Sequence, residues 1–241
     1  MPSKDRREMH CQQKKPMENY YKDKLSAHRL KRCYDIASPR IQQYLKAEIE
    51  HILKKIHSDD TVLELGCGYG RVLYPIAQKA AAAIGIDISF SSLEMAKETL
   101  RDLSHWFLIE MNALRLAFRD RTFDCVVCIQ NGISAFHVDR KGLIGESVRV
   151  TRPGGRVLFS SYSDRFWEER VQWFKAQSEA YLLGEIDYGR TKRGTIVCKD
   201  GFTAATVRPE EFLALTKGMN LKVNVEEIDG SSIFYEIAVP L

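Results

Sequence analysis

Residues 61–71, TVLELGCGYGR, constrain this chain more than any other stretch. Thr61–Leu65 is β-branched and aliphatic, as a buried strand requires, and glycines at 66, 68 and 70 end it. A helical pattern resumes at Val72. A strand running into a glycine loop and then a helix presents backbone N–H groups to a ligand and lets that ligand approach the backbone closely. Glu64 is an acid placed just before the turn. It is read as a group that orients the loop or meets a cationic ligand, with a solvated loop acid as the plainer alternative.

Glycine spacing separates two kinds of nucleotide site. Gly66, Gly68 and Gly70 give GxGxG, whereas the nicotinamide and flavin fingerprint GxGxxG needs glycine where Arg71 stands. Both kinds want an acid at the end of the next strand to bind ribose hydroxyls, and Asp87 follows AAAIGI. Asp87 therefore supports a nucleoside without choosing the cofactor. The glycine pattern together with Glu64 does choose: the run resembles motif I, (D/E)xGxGxG, of the class I S-adenosylmethionine-dependent methyltransferases.

Around this motif strands and helices alternate. Ser38 caps a helix with Pro39 in its first turn, and Ile41, Tyr44, Leu45, Ile49, Ile52, Leu53 and Ile56 make its apolar stripe. Val72–Lys79 is the helix after the loop. The spacing predicts further strands at Ala82–Ile86, Trp106–Ile109, Phe123–Ile129 and Arg156–Ser160, the last entered through the turn Arg152-Pro153-Gly154-Gly155. Ser91 and Glu94 read as a capping box, with Phe90 and Met95 as its staple, for a helix over about 92–101. Asp139 caps a helix reaching about Arg149. Leu221–Ile228 and Ile233–Val239 are joined only by a short link through Asp229-Gly230. Such a link permits an antiparallel pair alone, because a parallel connection needs roughly a dozen residues or more. The expected fold is α/β, a three-layer sandwich whose seven-stranded, mainly parallel sheet ends in an antiparallel strand. That order is a second resemblance to the class I methyltransferases.

The 241 residues suit one such domain with an insertion. We divide them into a basic N-terminal segment and partial lid, 1–37, and a methyltransferase domain, 38–241, with an aromatic-rich insert at about 163–205. Net charge is +4, but residues 1–33 hold ten Lys/Arg against four Asp/Glu, and the rest hold 26 against 28. The basic character is thus N-terminal, and the body is not a nucleic-acid-binding surface on charge grounds. No apolar run approaches the roughly eighteen residues of a membrane span, and residues 1–15 are too polar for a secretory signal. Six irregularly spaced cysteines point to reduced thiols in a cytoplasmic protein. Cys125 and Cys128 form a CxxC inside a strand pattern and read as core rather than zinc ligands.

The resemblance covers roughly residues 38–162, and more loosely 206–241, and implies a set of cofactor contacts. Motif I runs from Glu64 through Gly66, Cys67, Gly68 and Gly70, with Arg71 beside it. Asp87 matches the acid that binds the adenosine ribose, and Ile88 the apolar residue beside the adenine. Asn112-Ala113 matches the family's GDAxxLPF stretch, with Met111 for glycine, Asn112 for aspartate and Ala117 for proline. The amide oxygen of Asn112 can still accept from the adenine amino group. Asp124 matches the acid opening the fourth strand, in a structural role. Asn131, at the end of that strand, is expected at the methionine end of the cofactor or on the acceptor.

Methyl transfer from a sulfonium is an in-line displacement that gains mainly from alignment, and a base is required only if the acceptor arrives protonated. His137 is the candidate proton acceptor or positioning group, against a plain loop histidine, and His28 is a weaker candidate. Tyr20, Tyr21, Tyr34 and Trp167 are expected to meet the acceptor from an aromatic cover, against the plainer reading that the aromatics simply pack the insert. Asn131-Gly132 is not the (D/N)PP(Y/F) of enzymes acting on exocyclic amines of bases, no Pro-Cys pair suits a cytosine-C5 enzyme, and no acid set suits a metal-dependent catechol type. The expected function is transfer of a methyl group from S-adenosylmethionine to a small-molecule acceptor. Three rivals stand beside it: a methyltransferase acting on RNA or protein, which the basic start favours, an NAD-dependent oxidoreductase, and a non-catalytic S-adenosylmethionine-binding protein.

Overall fold

A computed structural model describes residues 20–241, so residues 1–19, which hold five of the ten Lys/Arg of the basic start, lie outside the described residues. The chain begins with two short helices, α1 (Tyr20–Asp23) and α2 (Ala27–Asp35), and then α3 (Pro39–Lys55). Alternation follows: β1 (Thr61–Leu65), α4 (Leu73–Ala77), β2 (Ala82–Asp87), α5 (Phe90–Leu100), β3 (Trp106–Glu110), β4 (Phe123–Cys128), α6 (Gly132–Ala135), α7 (Arg140–Val150) and β5 (Thr151–Tyr162). The insert holds α8 (Trp167–Glu179) and a hairpin of β6 (Thr195–Val197) and β7 (Thr203–Ala205). The chain closes with α9 (Pro209–Thr216), β8 (Lys222–Ile228) and β9 (Ser232–Ala238).

The main sheet has the order β3-β2-β1-β4-β5-β9-β8. Only β9 runs against the rest, wedged antiparallel between β5 and β8. From β1 the chain goes outward to β2 and β3, then returns to place β4 on the other side of β1. That reversal opens a crevice beyond the carboxyl ends of β1 and β4, where ligands of open α/β sheets bind.

Two apolar layers sandwich the sheet. Leu63, Ile86, Val126 and Phe159 on one face pack with Ile133 of α6, Leu143 and Ile144 of α7 and Phe212 of α9. On the other face Val62, Val127 and Leu158 pack with Ile52 of α3, Leu73 and Ile76 of α4 and Leu93 of α5. Cys125 and Cys128 fall in opposite layers, as residues three apart on a strand must, so they share no site. A third cluster joins α1, α2 and the start of α3 to the insert through Tyr20, Leu25, Tyr44, Trp173 and Phe202. No described helix is long and apolar enough to cross a membrane.

Local differences from the sequence reading have local causes. The Ser38 hydroxyl caps α3 at Ile41 N–H, but the buried face of α3 also turns through Glu48 and His51. Helix α5 starts two residues early because Ser89, not Ser91, caps it by accepting from Ser92 N–H. Glu94 pairs with Lys97, Ser91 reaches Ser26, and Phe90 is left exposed, so no capping box forms. The Arg152–Gly155 stretch is not a free turn. Its extra residues are absorbed inside β5, where the pairing register with β4 shifts between Phe123 and Cys125.

Candidate functional site

At the end of β1 the chain folds over the tip of β2. The N–H groups of Gly66 and Cys67 both donate to Ile86 O, at 2.8 and 2.9 Å. Next, Gly68 N–H donates to Asp87 Oδ2 at 2.9 Å, while Ser89 N–H donates to Oδ1 at 2.8 Å. The carboxylate is thus clamped by two backbone donors on adjacent loops. Burial raises its pKa, and the N–H groups of Ser89 and Gly68 oppose that. Gly66 has φ +73°, and a Cβ there would come within 2.6 Å of the Phe136 ring. Gly68 has φ +53°, and a Cβ there would meet Leu30 of α2 at 3.2 Å.

Glu64 lies in the floor of this cavity, 4% exposed, and its Oε2 has no hydrogen-bond partner among the described residues. Burial pushes its pKa up to about 8, with Arg71 pulling it down and Asp87 pushing it further up. Arg71 lies 4.3 Å over the Tyr34 ring and donates to Gln130 Oε1. Gln130 N–H in turn donates to Glu48 Oε2 and to Ser160 Oγ, both at 2.8 Å. The Ser232 hydroxyl donates to Glu48 Oε1 at 2.6 Å. Glu48 is fully buried, which raises its pKa to about 7 against the pull of these donors. A polar line therefore runs from the sheet interior, through Glu48, Gln130 and Arg71, to Tyr34 in the cover.

Over the mouth, α1 and α2 contribute Tyr21, Leu25, Leu30 and Tyr34 to the cavity wall. The cover is tied down from several sides. Ala27 N–H donates to Ser92 Oγ at 3.0 Å, Arg29 reaches the carbonyls of Tyr181 and Leu182, and Trp173 Nε1–H donates to Cys33 O at 2.9 Å.

The fold brings Glu64, Gly66, Cys67, Gly68, Arg71 and Asp87 into one cavity, with Ile88, Asn112 and Ala113 along one side and Tyr21 and Tyr34 above. Asn112 Oδ1 already accepts from Leu114 N–H at 2.9 Å, so the residue also shapes its own turn. Five expected site residues are placed elsewhere. Gly70 packs its backbone on Ala96 of α5. Asn131 is buried, and its Oδ1 accepts from Ser161 Oγ at 2.7 Å. His137 turns away from the cavity to the backbone of Thr203, and burial lowers its pKa. Tyr20 donates to Asp200 Oδ2 at 2.6 Å and packs edge-on against Phe202. Trp167 lies 5.8 Å from the Arg170 guanidinium in the insert. His28 is exposed on α2.

Gln130, Phe136, Met111 and Tyr69 line the cavity without having been singled out from sequence. Gln130 and Asn131 both take left-handed backbone, with φ of 55° and 63°. Strand alternation no longer predicts which of the two faces the ligand once β4 has ended in this way. Glu48 carried a signal in retrospect, as a charge on the buried side of the α3 stripe.

Comparison with known proteins agrees with this geometry. A family described as "Methyltransferase domain" matches residues 62–155, the span from β1 into β5. The chain is 28% identical over 184 residues to the ubiquinone/menaquinone biosynthesis C-methyltransferase UbiE of Klebsiella pneumoniae, covering 72% of this chain and 69% of that protein. It is 29% identical over 164 residues to a malonyl-[acyl-carrier protein] O-methyltransferase of a Marinomonas species, covering 64% and 59%. Among solved structures, the PH0226 protein of Pyrococcus horikoshii superposes with a TM-score of 0.64 at 19% identity, over 93% of this chain and all of that one.

Proposed function

The chain is a class I S-adenosylmethionine-dependent methyltransferase, and from that premise we propose that it methylates a small, largely apolar molecule held beneath α1 and α2. The observation that carries this reading is the two-ended cavity, with acids and glycine backbone at its floor and Tyr21, Leu25, Leu30 and Tyr34 at its roof.

The floor fits the cofactor. Asp87 is fixed by the N–H groups of Gly68 and Ser89, one on each oxygen, and a carboxylate has about four acceptor sites, so it can still receive ribose hydroxyls. Ile88, Met111 and Ala113 offer apolar surface for an adenine, and Gly66 and Gly68 leave room for close approach. The unpartnered Glu64 oxygen suits the positive, methionine end of the ligand, since a buried carboxylate without a partner is costly until a cation meets it. Bound there, S-adenosylmethionine supplies a methyl group on a positively charged sulfur, open to in-line attack.

The protein's own work is then alignment and exclusion of water. Tyr34 and Arg71 stack at the boundary between the two ends and fix where an acceptor can sit. The Arg71 guanidinium favours negative charge that builds on a neutral acceptor as it gives up a proton, which lessens the need for a base. His137 faces away and takes no part in this reading. The related C- and O-methyltransferases support a small acceptor but differ in the atom methylated, so a test offers both kinds. Calorimetry should show binding of S-adenosylhomocysteine and none of NAD. Asp87→Ala should weaken that binding about ten- to a hundredfold, the value of charge-assisted hydrogen bonds near 1.5–3 kcal/mol. NAD binding in place of the sulfur compound would overturn the reading.

A further inference from the structure

Behind the Arg71–Gln130 contact lies a second, smaller chamber. Its walls are Tyr44, Tyr162, Trp173, Phe174 and Phe202, and it shares Tyr21, Leu25, Leu30, Tyr34 and Gln130 with the cofactor cavity. Helix α8 builds one side of it. The buried positions of α8 are Arg170, Trp173, Phe174 and Gln177, one face at helical spacing with a polar residue at each end.

These two polar residues are used differently. Arg170 is 1% exposed; its Nη atoms donate to Thr206 Oγ1 and to the carbonyls of Ala204 and Gly194, and its plane lies 4.0 Å from the Tyr162 ring centre. It holds the hairpin to α8. Gln177 is 3% exposed and lines the chamber, yet its Nε2 has no hydrogen-bond partner among the described residues. Gln130 Nε2, brought to the same chamber by the loop after β4, is buried and unpartnered among the described residues in the same way. Leaving a buried N–H donor unmatched is costly, because the group has given up its bond to water and gained nothing in return. Two such amides in one aromatic chamber mark a place where a ligand oxygen supplies what the protein does not.

We propose that the acceptor is a planar ring compound bearing a carbonyl or phenolic oxygen, held in this chamber by the Gln177 and Gln130 amides between aromatic walls. The proposal rests on the methyltransferase reading and names the acceptor class within it. Among the described residues no carboxylate lines the chamber. Burial raises the pKa of its tyrosines, to about 12 for Tyr162, so its hydroxyls are neutral. A neutral ring oxygen fits such a lining, and a carboxylate or phosphate group does not. The chamber is about 40 Å³, room for roughly three waters. A ring therefore enters by pushing outward the wall that α1 and α2 share between the two spaces. Gln177 is a specificity-determining residue in this scheme and takes no proton.

The test uses the full-length protein saturated with S-adenosylhomocysteine and a matched pair of probes, 1-indanone and indane, titrated by ligand-observed NMR. The wild type should bind the ketone about five- to tenfold more tightly, as one buried hydrogen bond provides. Gln177→Leu should erase that preference while leaving the affinities for indane and for S-adenosylhomocysteine unchanged. Gln177→Met, which keeps the length of the side chain and removes the donor, should do the same. Equal affinity for the two probes in the wild type, or an undiminished preference in both variants, would overturn the proposal and assign the amides to ordered water. Binding of S-adenosylhomocysteine without binding of either probe would also defeat it and leave the methyltransferase reading standing. Failure to bind S-adenosylhomocysteine would remove the premise itself.

Discussion

The two ends of the cavity are built on opposite principles. At the cofactor end the wall is mostly main chain: three consecutive loop N–H groups bind Ile86 O and Asp87 Oδ2 and so fix one carboxylate, all within a stretch that begins at Glu64 and ends at Ser89. At the acceptor end it is all side chain, assembled from α1, α2, α3, the loop after β4, β5, α8 and the loop between β6 and β7. A backbone cradle tolerates little change in the chain that forms it and suits a ligand that never varies. A wall of interlocking aromatic rings can be reshaped one side chain at a time. The ionisable groups divide along the same line, with the carboxyl groups of Glu64 and Asp87 in the cofactor cavity and neutral phenols in the acceptor chamber.

The largest effect expected from this division is in the pH dependence of stability. Glu64 and Glu48 have pKa values raised from 4.5 to about 8 and about 7 by burial. Between pH 5 and 7 the folded state holds protons that the unfolded state has released, so stability falls as pH rises. Each such group contributes a slope of up to about 1.4 kcal/mol per pH unit inside its window. Thermal melts of the ligand-free protein should therefore drop across this range, and Glu64→Gln should flatten the decline. An unchanged slope in that variant would place the titrating groups elsewhere and blur the contrast between the two ends.

Next in size is Gly68→Val. Its φ of +53° is strained for a β-branched residue, and the new side chain would press on Leu30. S-adenosylhomocysteine affinity should fall about a hundredfold or more, equivalent to some 2.7 kcal/mol. The cap and its tryptophan fluorescence should change little, and a collapsed cap would show that the two ends are not separable.

The smallest effects sharpen the contrast from the other side. Tyr20→Phe removes the hydrogen bond to Asp200 and should lower stability by about 1 kcal/mol, with methyl transfer within about twofold of wild type. His137→Ala should be similarly mild on transfer. A large loss of rate in either would return that residue to the acceptor site, where the sequence reading expected it.

The contrast also explains what was legible in the residues alone. The strand–loop–helix unit, Asp87 and the antiparallel closing pair were readable because each is dictated by sterics and hydrogen bonds between near neighbours in sequence. Gly66, Gly68 and Asp87 meet because a parallel β1–β2 pair with one intervening helix leaves them nowhere else to go. Start points of helices were less legible: Ser89 and Ser91 are equally good caps, and the hydrogen bonds of Asp87 decide between them.

Most of the acceptor end was decided by tertiary structure. Sequence selected Tyr20, Tyr21, Tyr34 and Trp167 as aromatic cover, but rings at such positions pack inward or line a cavity according to what lies opposite. Tyr20 found Asp200 and Phe202, far along the chain, while Tyr34 found Arg71. Gln130 rather than Asn131 lines the cavity because two consecutive left-handed residues broke the strand's alternation. Glu48 and Gln177 looked like ordinary polar positions on helices until burial removed their water. Burial is a property of the assembled layers, and no short stretch of sequence contains it.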